Sequence, residues 1–137
     1  MHIYIPLEPV YSFEEARTFA ELIARLVTHE KPHLFTTPRS VAKRQKNRVY
    51  FDYLQIGKSK TIAAPYVLRA YEGAPVATPL ELAEVVDGLH PKQFHIHNAR
   101  DRFRKKGDLF RGVLGSPQNL YEALGRLEKL FRPPTSP

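Results

Sequence analysis

The stretch VYFDYLQ, Val49 to Gln55, places an aspartate at the centre of an apolar and aromatic run. Val, Tyr and Phe are enriched in strands and Asp is depleted there, so the run predicts a strand with one residue out of keeping. In a pleated strand Tyr50, Asp52 and Leu54 share one face, and Val49, Phe51, Tyr53 and Gln55 share the other. A carboxylate among apolar neighbours is costly to bury unless a cation pairs with it or it coordinates a metal. Two readings are open: a salt bridge to a nearby arginine, or a Mg²⁺ or Mn²⁺ ligand, since hard cations take carboxylate oxygens. A two-metal site needs further carboxylates, and the chain has no Asp-x-Asp on any strand.

The charge around this stretch is one-sided. The 137 residues carry 21 Lys and Arg against 14 Asp and Glu, a net charge of +7. KRQKNR (Lys43 to Arg48) precedes the strand, KSK (Lys58 to Lys60) follows it, and ARDRFRKK (Ala99 to Lys106) comes later. A small basic domain attracts polyanions, nucleic acid above all, although scattered basic residues also serve solubility. Zero cysteines exclude a disulfide framework and a thiolate zinc site and favour a reducing compartment. The start MHIYIPLEPVYSF lacks the pattern of a signal peptide, and nothing approaches the ~20 apolar residues of a membrane span. A soluble cytoplasmic protein with no membrane partner is expected.

Further outward, HIYIPL reads as a short strand stopped by Pro6 and Pro9. Ser12 and Glu15 have capping-box spacing, and Phe13, Ala16, Phe19, Ala20, Ile23, Leu26 and Val27 then follow helical spacing up to Pro32. GKSK makes a turn, and TIAAPYVLRAY is expected to be extended, because Pro65 restricts its neighbours. Thr78, Pro79 and Glu81 resemble a helix start, with Gly88 as its stop. QFHIH predicts a short strand, with a basic helix over Ala99 to Lys106 and a last helix opening at Ser116-Pro117. The expectation is an α+β domain over residues 1–131, with a small, mainly antiparallel sheet flanked by helices and a disordered tail over 132–137.

Two motifs are weak. QIGKSKT imitates a phosphate loop, but counting back five from Gly57 gives Asp52 where the leading glycine belongs. His95 and His97 would share a strand face at metal-ligand spacing, yet no third ligand sits nearby in sequence.

RVYFDYLQ, then KTIAAPYVLRA, then GAPVATPLE, in that order and spacing, resemble the polymerase domain of bacterial DNA ligase D. That domain belongs to the archaeo-eukaryotic primase superfamily and serves non-homologous end joining. HIYIPL, LHPKQFHI and the final SPQNLYEALGRLEKL also fit, so the likeness runs along nearly the whole chain. The resemblance implies that Asp52 is the third metal-binding carboxylate. It implies that Arg69, in APYVLR, meets the triphosphate of an incoming nucleotide, with Val67 where Ser is usual. It places His2 and Gln55 beside the nucleotide, with Ile56 in place of the family's Asn and Leu82 where Trp is frequent. Lys60 is a further candidate for neutralising phosphate charge. Lys43, Arg44, Lys46, Arg48, Lys58, Arg102, Arg104, Lys105 and Lys106 are the candidates for contacting DNA.

The departures are larger than these substitutions. The family's paired aspartates, and a serine and lysine before the strand histidine, lie upstream of the matched blocks, so the resemblance covers roughly the C-terminal half of the domain. It implies a repair polymerase fragment that binds DNA, a nucleoside triphosphate and Mn²⁺ or Mg²⁺ when complete and is inactive alone. A homodimer, an upstream polymerase half or a ligase is the expected protein partner. The alternatives are a non-catalytic nucleic-acid-binding or protein-interaction module, and an unrelated basic α+β RNA-binding domain with exposed aromatics on its sheet.

Overall fold

The computed structural model describes residues 1–131, so the tail expected at 132–137 lies outside the described residues. The chain divides into two compact units, one of Met1–Pro6 with Thr61–Pro117 and one of Leu7–Lys60 with the chain from Gln118 onward.

In the second of these units, helix α1 spans Phe13–Glu30. Its start is the predicted capping box: the Glu15 backbone N–H donates to Ser12 Oγ at 3.2 Å, and the Ser12 backbone N–H donates to the Glu15 side chain at 2.8 Å. Two of the N–H groups that a helix start leaves unpaired are thereby satisfied. Ala16, Phe19, Ala20, Ile23, Leu26 and Val27 of the predicted stripe are half-buried, but Phe13 is 61% exposed, and the fully buried residue of the helix is Ala24, which the predicted stripe did not include. Strand β1, Phe35–Thr36, pairs with β2, Val49–Tyr50, with Phe35 opposite Val49 and Thr36 opposite Tyr50. Helix α3 spans Leu120–Phe131. Asn119 Oδ1 accepts the N–H groups of Tyr121 and Glu122, while the Leu120 N–H donates to the Tyr11 hydroxyl at 3.1 Å.

The α+β class holds, but the sheet differs from expectation. It is parallel, not mainly antiparallel. Parallel neighbours need a crossover of about a dozen residues; here residues 37–48, with a short 3-10 turn at Val41–Lys43, provide it. The strand expected over Val49–Gln55 is also shorter: the Phe51 N–H still reaches Thr36 O at 2.9 Å, and pairing stops there.

In the other unit, helix α2 spans Ile96–Lys106 and ends at Gly107, whose φ of 71° suits a residue without Cβ. Antiparallel contact is limited to single bridges, Leu68 with Val76 and Pro75 with His95. The residues 78–88 form only a 3-10 turn at Leu82–Glu84, not the expected helix. QFHIH is likewise no strand: Pro91–Gln93 is a 3-10 turn and His95 is the N-cap of α2. HIYIPL stays extended without a ladder, apart from the bridge of Leu7 to Gln118 within the other unit. Val76 and Ala99 are buried, whereas Met1, Ile3 and Leu82 are 87%, 77% and 89% exposed.

Candidate nucleotide and nucleic-acid site

Pro65 carries no N–H, and at Tyr66 the chain takes φ of 67°, turning into a short ribbon beside Pro75–Ala77. The Tyr66 N–H donates to Ala77 O at 2.6 Å, Ala77 N–H to Val67 O at 2.9 Å and Arg69 N–H to Pro75 O at 2.8 Å. This ribbon delivers Arg69 to the wall of a cavity of about 750 Å³, which His2 also lines. The rest of the wall is largely apolar, with Tyr4, Pro65, Phe94 and Phe110 among it. The Arg69 guanidinium lies 5.6 Å from the Tyr71 ring centroid, and among the described residues no carboxylate pairs with it. His2 and Arg69, two of the four residues expected to meet a nucleotide, therefore line one cavity.

Asp52, Gln55 and Lys60, the other residues predicted for metal and nucleotide, lie in the other unit. Asp52 is exposed and sits just past the β1–β2 pairing, which answers why a carboxylate interrupts the apolar run. Its Oδ1 accepts the Leu54 N–H at 3.1 Å and its Oδ2 accepts Gln55 Nε2 at 3.1 Å, closing an Asx-type turn. Among the described residues no arginine or lysine forms an ion pair with Asp52. The expected burial is overturned and the guanidinium lock with it. Gln55 is committed to Asp52, and Lys58 and Lys60 are exposed.

The basic residues divide by what they touch. Lys43 and Lys46 are exposed and Arg48 is half-buried. Arg44 lies 3.5 Å from the Tyr50 ring centroid and donates to the carbonyls of Pro38 and Arg39, a structural use that its sequence setting did not reveal. In the other unit Arg104 and Lys105 are exposed. Arg102 instead clamps Glu84, Nη1 to Oε1 and Nη2 to Oε2 both at 2.7 Å, with a further bond to Pro79 O. Lys106 reaches Glu81 and, at 3.8 Å, Glu84. The Arg102 guanidinium first, and the Glu81 N–H second, hold the Glu84 carboxyl down to about 2. Arg102 gains in turn, its pKa raised by the same pair.

Among the described residues no group of three or more His and acidic side chains could hold a metal. The His95 and His97 rings are 5.8 Å apart, with His95 Nε2 3.3 Å from Asn98 Nδ2, and among the described residues no third ligand joins them. Residues that sequence reasoning missed are Tyr4, Tyr66, Glu84, Asp108 and Phe110. Tyr66 and Asp108 are 42 positions apart and no local spacing signals their contact. Among the described residues no helix is long and apolar enough to cross a membrane.

Residues 1–110 match the family model described as LigD, primase-polymerase domain. The chain is 41% identical over 120 residues to the bifunctional non-homologous end joining protein LigD of Bacillus subtilis, covering 87% of this chain and 20% of that protein. It is 31% identical over 111 residues to the multifunctional LigD of Mycolicibacterium smegmatis, covering 80% of this chain and 14% of that one. The chain thus spans about a fifth or less of the length of these relatives. Among solved structures, the polymerase domain of Mycobacterium tuberculosis ligase D in complex with DNA is similar with a TM-score of 0.71 and 30% identity. That likeness covers 82% of this chain and 39% of the other. With four-fifths of its sequence inside the model, the chain belongs to the LigD primase-polymerase domain family.

Proposed function

We propose that this chain forms part of a DNA-repair primase-polymerase of non-homologous end joining, a template-dependent nucleotidyltransferase when complete. The observation that carries the reading is the shared cavity of His2 and Arg69, which offers an unpaired guanidinium to the triphosphate of an incoming nucleotide. Within the unit of Leu7–Lys60, Gln55 and Lys60 are separate candidates for nucleotide contact. Asp52, exposed and without a cation of its own, supplies one carboxylate to a Mn²⁺ or Mg²⁺ site.

The residues present do not make a whole metal site: the described residues hold no cluster of three ligands. No step through a metal is therefore derived for this chain, which we propose is inactive by itself. The other carboxylates come from a further polypeptide segment. The exposed Ile5, Ile62 and Leu114, which lie outside the cavity lining, support a protein partner, either a second copy, a polymerase half or a ligase. Lys43, Lys46, Arg48, Lys58, Arg104 and Lys105 follow the phosphate backbone of DNA, while Arg44, Arg102 and Lys106 act mainly within the fold. The family structure in complex with DNA supports this partner, and a cytoplasmic place agrees with the lack of cysteine.

Primer extension with Mn²⁺ and nucleoside triphosphate tests the reading. The chain alone should give no product, and a mixture with a polypeptide carrying the paired carboxylates should extend the primer until Asp52→Ala abolishes it. Extension by the lone chain that survives Asp52→Ala would overturn the assignment. A second reading, a non-catalytic nucleic-acid-binding module, is favoured by the incomplete ligand set; it predicts DNA binding and no extension in either arrangement.

A further inference from the structure

Tyr66 holds a backbone conformation that a bulky residue rarely adopts, φ of 67°, although Gly or Asn would fit that position with less strain. What the tyrosine brings is its side chain. The hydroxyl donates to Asp108 Oδ1 at 2.5 Å and accepts the Phe110 N–H at 3.2 Å, while Asp108 Oδ1 also accepts the Phe110 N–H at 3.0 Å. The ring meets Phe103 of α2 edge to face at 4.7 Å between centroids. One side chain thus fixes the start of the Tyr66–Arg69 ribbon to both α2 and the turn over Asp108–Phe110. That turn carries the Phe110 ring, which lies edge-on to Tyr4 at 5.0 Å, and Tyr4 in turn lies edge-on to His2 at 6.3 Å. The Tyr4 hydroxyl also donates to Ala63 O at 3.5 Å, close before the ribbon.

We infer that Tyr66 and Asp108 are positioning residues, a brace that sets Arg69 and, through Phe110 and Tyr4, His2 on the wall of one cavity. The inference rests on the nucleotide reading given above. Strained backbone held in place by several independent contacts is characteristic of sites where a side chain must be presented in one geometry. Burial first, and the Asp108 carboxylate second, raise the Tyr66 hydroxyl above the ordinary phenol range, in keeping with its place as the donor to Asp108.

The test uses the full 137-residue chain with methylanthraniloyl-ATP and Mn²⁺ as the probe. Tyr66→Phe keeps the ring on Phe103 and loses only the hydroxyl; Asp108→Ala loses the acceptor, and Asp108→Asn keeps one. Tyr66→Phe and Asp108→Ala should each weaken binding about 5-fold to 10-fold, with Asp108→Asn within about 2-fold of the parent. In an Arg69→Ala background Tyr66→Phe should cost less than about 2-fold further, since a brace has nothing left to aim. An equal loss in both backgrounds refutes the brace. Amide exchange of Arg69 and Ala77 in the ligand-free chain reads the brace without nucleotide. Exchange should rise at least about 5-fold in Tyr66→Phe, with the α1 amides unchanged; unaltered exchange overturns the proposal. If Arg69→Ala leaves probe affinity unchanged, the nucleotide reading falls, and the exchange result alone decides the brace.

Discussion

Glu84→Gln should destabilise the unit of Met1–Pro6 with Thr61–Pro117 more than any other single charge removal in it. The carboxylate accepts two guanidinium bonds at 2.7 Å and the Glu81 N–H at 2.9 Å, and Lys106 stands 3.8 Å away. The amide retains one acceptor but turns its NH₂ toward Arg102 Nη1 or Nη2, donor against donor. A carboxyl held at about 2 instead of 4.5 sets a ceiling of about 3 kcal/mol, at about 1.4 kcal/mol per pH unit. Solvent reaches 23% of the Glu84 side chain and 17% of that of Arg102, so screening lowers the expected loss to about 2 kcal/mol. The sign follows from the depressed carboxyl. The stabilisation is fully present above pH 4.5 and is lost as pH falls through 2, the folded value being the lower of the two. Urea unfolding followed by tyrosine emission, at pH 7 and at steps down to pH 2, measures both effects. The variant should lose about 2 kcal/mol at pH 7 and show a shallower acid limb than the parent. Equal stability at pH 7, or an unchanged acid limb, refutes the clamp.

Ser12→Ala removes the N-cap acceptor of α1 and should cost about 1 kcal/mol, read by thermal melting of the 222 nm signal; no change would mean that α1 does not depend on its box. Replacing Lys43, Lys46, Lys58 and Lys105 with Gln should weaken duplex binding and flatten the plot of log affinity against log salt by about 0.9 for each lysine that meets a phosphate. An unaltered slope in fluorescence anisotropy would remove these residues from the DNA surface. Light scattering of the chain should show self-association, relieved by Ile5→Lys with Leu114→Lys, two exposed apolar residues outside the cavity lining; a monodisperse monomer at high concentration would contradict the proposed partner surface.

Signals set by neighbours in sequence were legible. The Ser12–Glu15 box, the apolar stripe of α1 and the basic helix ending at Gly107 each depend on contacts within a few residues. So did the family, because RVYFDYLQ and APYVLR are contiguous. Sheet direction was not legible, since pairing of Phe35 with Val49 is decided by where the connecting residues 37–48 go. Thr78–Gly88 carried a credible helix start, but Glu84 and Glu81 turn instead to Arg102 and Lys106 of α2, and long-range ion pairs override local propensity there. Asp52 was expected in a half-buried strand; the ladder ends before it, so its carboxylate turns back on Leu54 and Gln55. Arg44 and Arg102 looked like surface charge because composition does not distinguish a solvated cation from one stacked on Tyr50 or clamped to Glu84.

The most direct measurement is calorimetric titration of a nucleoside triphosphate with Mn²⁺ into the parent chain and into Arg69→Ala. A guanidinium that meets phosphate is worth about 1.5 to 3 kcal/mol, so the variant should bind about 10-fold to 100-fold more weakly with its melting temperature preserved. Equal affinity in the two proteins would contradict the assignment of the Arg69 cavity to a nucleotide.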